Sequence, residues 1–137
     1  MKYNFEPGSI QYSYGGTYKW NLDQNASIQT DIYLLAGHIG PYLQLDEGGR
    51  LTCSLGYQWD GASFIAVDTA TIMRGSLFHD ALYQLMREGV VSRKNRKKAD
   101  QILRDLCLAD GMTRIRAAWV YSFVRVFARS ASKRRRT

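Results

Sequence analysis

His79, Asp80, Tyr83 and, some twenty residues on, Asp100 are the side chains of this 137-residue chain whose types and spacing could do chemistry. A histidine titrates near neutral pH and can take up or release a proton, while carboxylates orient such a ring or hold a cation. His79 and Tyr83 stand four residues apart, which on a helix places them on one face, and Asp80 projects about 100° around the axis from His79. The requirement is therefore a helix through Arg74–Tyr83 and a second element that carries Asp100 alongside it.

The sequence supplies both. Leu77, Ala81, Leu82 and Leu85 form an apolar stripe that predicts a helix over about 71–88, with Gly89 as its stop. A second helix over about 92–110 has Ser92 as its cap, Gly111 beyond its end, and a stripe of Ala99, Ile102, Leu103 and Leu106. Asp100 lies at the edge of that stripe and needs a partner there, because burying a carboxylate unpaired is costly. The short Gly89-Val-Val-Ser92 link makes the two helices antiparallel neighbours. A third helix over about 113–129 has two faces. Arg114, Tyr121, Arg125 and Arg129 share one sector, a basic surface; Ile115, Trp119, Val120, Phe123, Val124, Val126 and Phe127 fill the opposite half. Such a helix packs on the core or lies on a membrane surface, and in a domain this small core packing is the expectation. Residues 130–137 read as a flexible basic tail that binds phosphates weakly or serves solubility.

The first sixty residues read as short strands and turns. Ile10–Tyr14 and Thr17–Trp20 alternate apolar with polar residues around Gly15-Gly16, as in a hairpin; Ile28–Leu35 reads as another strand; Gly37–Pro41 interrupts. Tyr42–Leu45 and Arg50–Leu55 flank Asp46-Glu-Gly-Gly49, whose glycines suit a tight connection. Tyr12, Tyr14, Tyr18, Trp20, Tyr33 and Tyr42 form either a ligand-stacking surface or, the more usual outcome, strand packing. Gly56–Ser63 reads as a loop. Its Trp59, Gly61 and Ser63 could line a ligand and Asp60 a cation, or Asp60 simply caps a turn.

The fold class that results is α+β, an antiparallel β region over about 9–55 packed against three helices, in a single domain over 1–129. With 45% apolar and 23% charged residues the composition is that of a globular protein. No run reaches the roughly 18 apolar residues of a transmembrane span, and residues 1–7 lack the apolar core of a secretory signal, so the expected place is the cytoplasm. Cys53 and Cys107 have no metal-ligand spacing and read as reduced, buried thiols. The net charge of +7 is uneven: residues 1–73 carry −4 and residues 74–137 carry +11. A surface of that kind favours phosphate-bearing partners, whether nucleic acid or anionic lipid. The chain has no P-loop, GxGxxG, GxSxG or HExxH pattern.

Two resemblances attach to these residues. Trp59-Asp-Gly-Ala-Ser63, Ser76-Leu-Phe-His-Asp-Ala-Leu-Tyr83, Ser92-Arg93, Ala99-Asp100, Trp119-Val-Tyr121 and Val124-Arg-Val-Phe127 occur in that order over roughly half the chain. Together they resemble the phage- and prophage-encoded family called domain of unknown function 1353. That resemblance implies a phage or prophage origin, in the host cytoplasm or incorporated in a virion, and no activity. More distantly, His79-Asp80-x-x-Tyr83 followed by Ala99-Asp100 resembles the catalytic helix pair of phospholipase A2 enzymes. This implies a Ca²⁺-dependent ester hydrolase: His79 the general base, Asp100 orienting it, Tyr83 helping to hold Asp100, and Asp80 holding Ca²⁺ with help from the Asp60 loop. The Gly-rich, Cys-containing calcium loop and the disulfides of those enzymes have no counterpart here. The hydrolase reading requires a ring nitrogen of His79 within hydrogen-bond reach of Asp100, and His79 not sealed in the core.

The competing reading is a non-enzymatic phage virion or tail component, or a host-interaction protein. In it His79, Asp80 and Asp100 form a structural network and the basic face meets an acidic partner such as another phage protein, whereas in the hydrolase reading the third helix and basic tail suit an anionic lipid surface. A nucleic-acid binder ranks third, because the basic residues lack a recognisable framework for it.

Overall fold

The computed structural model of the chain describes residues 3–15, 20–61 and 69–133. It is an α+β protein, with two antiparallel sheets in the N-terminal half and three helices in the C-terminal half. Two compact units divide it.

The strand unit spans Ile10–Gly61. One sheet has the order β1-β2-β7, made of β1 (Tyr12–Tyr14), β2 (Trp20–Leu22) and β7 (Gln58–Trp59). The other has the order β3-β6-β5-β4, from β3 (Ala26–Gln29), β4 (His38–Ile39), β5 (Leu43–Leu45) and β6 (Arg50–Cys53). The hairpin across Asp46–Gly49 forms as expected: Asp46 Oδ1 accepts from the Arg50 amide at 2.8 Å, and Gly49 takes φ 89°. A Cβ on Gly49 would sit 2.3 Å from the Thr30 carbonyl oxygen, so no other residue fits without displacement.

Three strand expectations need correcting. The strand expected over 28–35 ends at Gln29, because Thr30 Oγ1 turns the chain by accepting from the Ile32 amide (3.1 Å) and donating to the Gly49 carbonyl (2.8 Å). Part of the expected interruption at 37–41 is itself β4, paired with β5. The expected loop at Gly56–Ser63 contains β7, in which Trp59 pairs with Trp20 and is 2% exposed. The tyrosines are only partly strand packing: Tyr12 and Tyr14 stand edge-on to Trp20, with ring centroids 5.2 and 5.6 Å apart. Tyr14, Tyr33 and Tyr42 are exposed; Tyr18 lies outside the described residues.

In the helical unit α1 (Ala70–Arg87), α2 (Arg96–Ala109) and α3 (Arg114–Phe127) follow the predicted spans closely. Gly89 and Gly111 take positive φ beyond the first two, as the stop signals required. Ser92 caps, as expected, but it caps a 3-10 turn at Arg93–Asn95 that leads into α2. α1 is buried far beyond the four-residue stripe; Ile72, Met73, Gly75, Ser76, Phe78, His79, Tyr83 and Met86 are also enclosed. A helix buried nearly all round is central rather than amphipathic. Gly75 lets α2 approach it: an added Cβ would meet Leu103 Cδ1 at 3.0 Å and Cys107 Sγ at 3.2 Å. Residues 3–9 belong to this unit, held by the Tyr3 amide on Asp105 (2.9 Å) and the Gly8 amide on Asp110 (2.9 Å). A two-bond ion pair from Arg74 also fixes Asp110.

The core expectation for α3 holds for one edge of its apolar half. Ala117, Val120 and Val124 are buried, whereas Ile115 is 87%, Trp119 53%, Val126 67% and Phe127 67% exposed. The first residues of the expected tail are part of a turn. Arg129–Ser132 form a 3-10 turn, with Arg87 donating to the Ala131 carbonyl (2.8 Å) and Arg93 to the buried Ser132 hydroxyl (3.1 Å). Residues 134–137 lie outside the described residues.

Candidate functional site

Asp100 is the centre of the site. It is fully buried on α2, one turn past the start of that helix, and the stripe around it (Ala99, Ile102, Leu103) is what takes it inside. Its Oδ1 accepts from His79 Nε2 at 2.7 Å and from the Tyr83 hydroxyl at 2.6 Å. Its Oδ2 accepts from Arg125 Nη1 at 2.8 Å, with Arg96 Nη2 at 4.0 Å. Arg96 Nε donates to the Tyr83 oxygen (3.1 Å), so the phenol receives one hydrogen bond and passes one on. The four-residue spacing of His79 and Tyr83 does what it predicted: their rings lie 4.2 Å apart and both reach Asp100.

The electrostatics follow from this arrangement. Burial alone would raise the Asp100 pKa, but the hydrogen bond and charge of His79, then the bonds from Tyr83 and Arg125, hold it below the usual carboxylate range. An ionised carboxylate only accepts, so the proton of the His79–Asp100 bond sits on Nε2. Burial and then the adjacent Asp100 charge push the Tyr83 phenol far above its ordinary value. Tyr83 is therefore a donor throughout the physiological range.

Arg125, expected on the basic surface, is half-buried: its side chain is 32% exposed and its guanidinium is turned to Asp100. Arg114 and Arg129 are exposed, as expected. Arg96, which sequence reasoning missed, binds Tyr83 and the carbonyls of Val124 (2.8 Å) and Arg125 (2.6 Å) at the end of α3. The signal for it was its position four residues before Asp100, on the same helical face. Together Arg96 and Arg125 tie the C-terminal part of α3 to α2 and Asp100.

The other expected site residues are not brought to Asp100 by any described bond. Asp80 is half-buried and takes none of the Asp100 hydrogen bonds given above. In the strand unit Asp60 is exposed, Gly61 takes φ 73°, and Trp59 stacks on Tyr57 (6.5 Å, 12°) inside the core, where no ligand ring reaches it. Ser63 lies outside the described residues. Ca²⁺ needs six to eight oxygens, and among the described residues no group of three or more His, Cys, Asp or Glu gathers to hold a metal. Among the same residues no helix is long and apolar enough to cross a membrane.

No protein-family model, curated protein or solved structure matches this chain.

Proposed function

We propose that the protein is a non-enzymatic interaction module of phage or prophage origin, in which the His79–Asp100 set fastens three helices. The observation that carries this is burial with complete pairing: His79 is 2% exposed, Asp100 0%, and both Asp100 oxygens are occupied by donors from α1 and α3. A base needs a substrate proton within hydrogen-bond reach, about 2.6–3.2 Å, and a ring only 2% exposed offers little approach. Asp100 also serves Arg125 at 2.8 Å, which reduces what its charge can do for a developing imidazolium. The origin rests on the ordered sequence blocks described above.

One observation favours the phospholipase A2-like hydrolase as a second reading. His79 meets its required distance to Asp100 and presents Nε2 to it, with Tyr83 on the same oxygen, the arrangement of a base oriented by a carboxylate. That reading needs Ca²⁺ at Asp80. Millimolar Ca²⁺ would then raise the melting temperature of the wild type and not of Asp80→Asn. The structural reading expects no shift in either, together with a loss of about 2–3 kcal/mol in His79→Leu, which removes a donor from a buried charge. A calcium shift confined to the wild type would overturn it.

A further inference from the structure

Five apolar side chains of α3 lie outside the buried line Ala117–Val120–Val124. Ile115, Trp119, Val126 and Phe127 are exposed and Phe123 half-buried, and the rings run on continuously, with Trp119–Phe123 centroids 5.6 Å and Phe123–Phe127 centroids 4.7 Å apart. A run of exposed apolar side chains along one helix marks a contact surface. Its surroundings indicate which. From Met112 to Thr137 the chain has eight Lys or Arg residues and no Asp or Glu. Arg114 at one end of α3, and Arg129 and Lys133 beyond the other, are exposed. A second copy set on this face would bring cations against cations, whereas an anionic surface would neutralise them. Apolar residues with a tryptophan on one face of a helix, flanked by arginines, are the composition of helices that lie in the plane of a lipid interface.

We infer that α3 docks the protein on an anionic lipid surface, with Ile115, Trp119, Phe123, Val126 and Phe127 entering the acyl boundary and the flanking Arg and Lys residues meeting the headgroups. The inference names the partner of the interaction module proposed above and rests on that reading. It departs from the expectation that this half of α3 is core.

The test is flotation of the full chain with vesicles of phosphatidylglycerol and phosphatidylcholine in equal parts, against phosphatidylcholine alone. The wild type is expected to float with the anionic vesicles only, and Trp119 emission to shift to the blue, a change absent from Trp119→Phe. The double variant Ile115→Ser/Phe127→Ser, whose sites are exposed and leave the core intact, is expected to bind at least about tenfold more weakly. Three results overturn the inference: no flotation, flotation unchanged in the double variant, or a dimer in sedimentation velocity that the double variant abolishes. The middle result would assign binding to the basic residues alone. The same vesicles doped with a fluorogenic phospholipid separate the two proposals. Turnover would end the non-enzymatic reading and leave the docking result standing, and failure to float would do the reverse.

Discussion

Replacing Asp100 with alanine strips the acceptor from three donors at once. His79 Nε2, the Tyr83 hydroxyl and Arg125 Nη1, now at 2.6 to 2.8 Å from a carboxylate, would face a void. Breaking a buried charge pair by removing one partner costs about 3–5 kcal/mol. The three losses do not add, since all pass through one carboxylate, and Arg125, 32% exposed, regains some water. About 3–4 kcal/mol is therefore the expected loss, which for a chain of this size lowers the melting temperature by roughly 10–20 °C. Asp100→Asn keeps the shape but turns an N–H toward one of these donors, and should lose about 2–3 kcal/mol. Circular-dichroism melts at neutral pH read both. If Asp100→Ala melted within about 3 °C of the wild type, the network would not be holding the helices and the reasoning would fail.

Other consequences follow from the same contacts. Asp100 titrates lower in the folded protein than its unfolded value near 4, so its stabilisation is complete above that value and is lost as the pH falls through the folded pKa. Urea midpoints measured from pH 6 to pH 2 should fall more steeply for the wild type than for Asp100→Asn. Burial pushes the Cys107 thiol up to about 12, with the Asp110 charge adding to it, and Cys53 is fully buried. Neither thiol should react with a disulfide reagent at pH 8 until urea unfolds the chain. Gly49→Ala, held at φ 89° against the Thr30 carbonyl, should cost more than about 1 kcal/mol by denaturant titration.

The sequence made α1 and α2 legible because periodic apolar stripes and terminal glycines agree on each of them. It also placed His79, Tyr83 and Asp100 together, since two antiparallel helices leave few other neighbours for a carboxylate at the edge of a stripe. The two-residue strands β4 and β7 were not legible: strands that short carry no alternation to detect. Arg125 was misread for a different reason. A helical wheel sorts residues by direction on their own helix, and Arg125 points toward a charge on another one. The same blindness hid which edge of the apolar half of α3 would be core. Val120 and Val124 are buried while Trp119 is exposed, a choice set by tertiary contacts that a single helix does not display.

Hydrolysis of a fluorogenic glycerophospholipid by the wild type, with millimolar Ca²⁺ and with chelator, tests most directly whether the buried His79–Asp100 pair fastens helices or turns over substrate. The account predicts a rate equal to the vesicle background in both conditions and unchanged in folded His79→Gln. A calcium-dependent rate in the wild type that disappears in His79→Gln, with the fold retained, would contradict it.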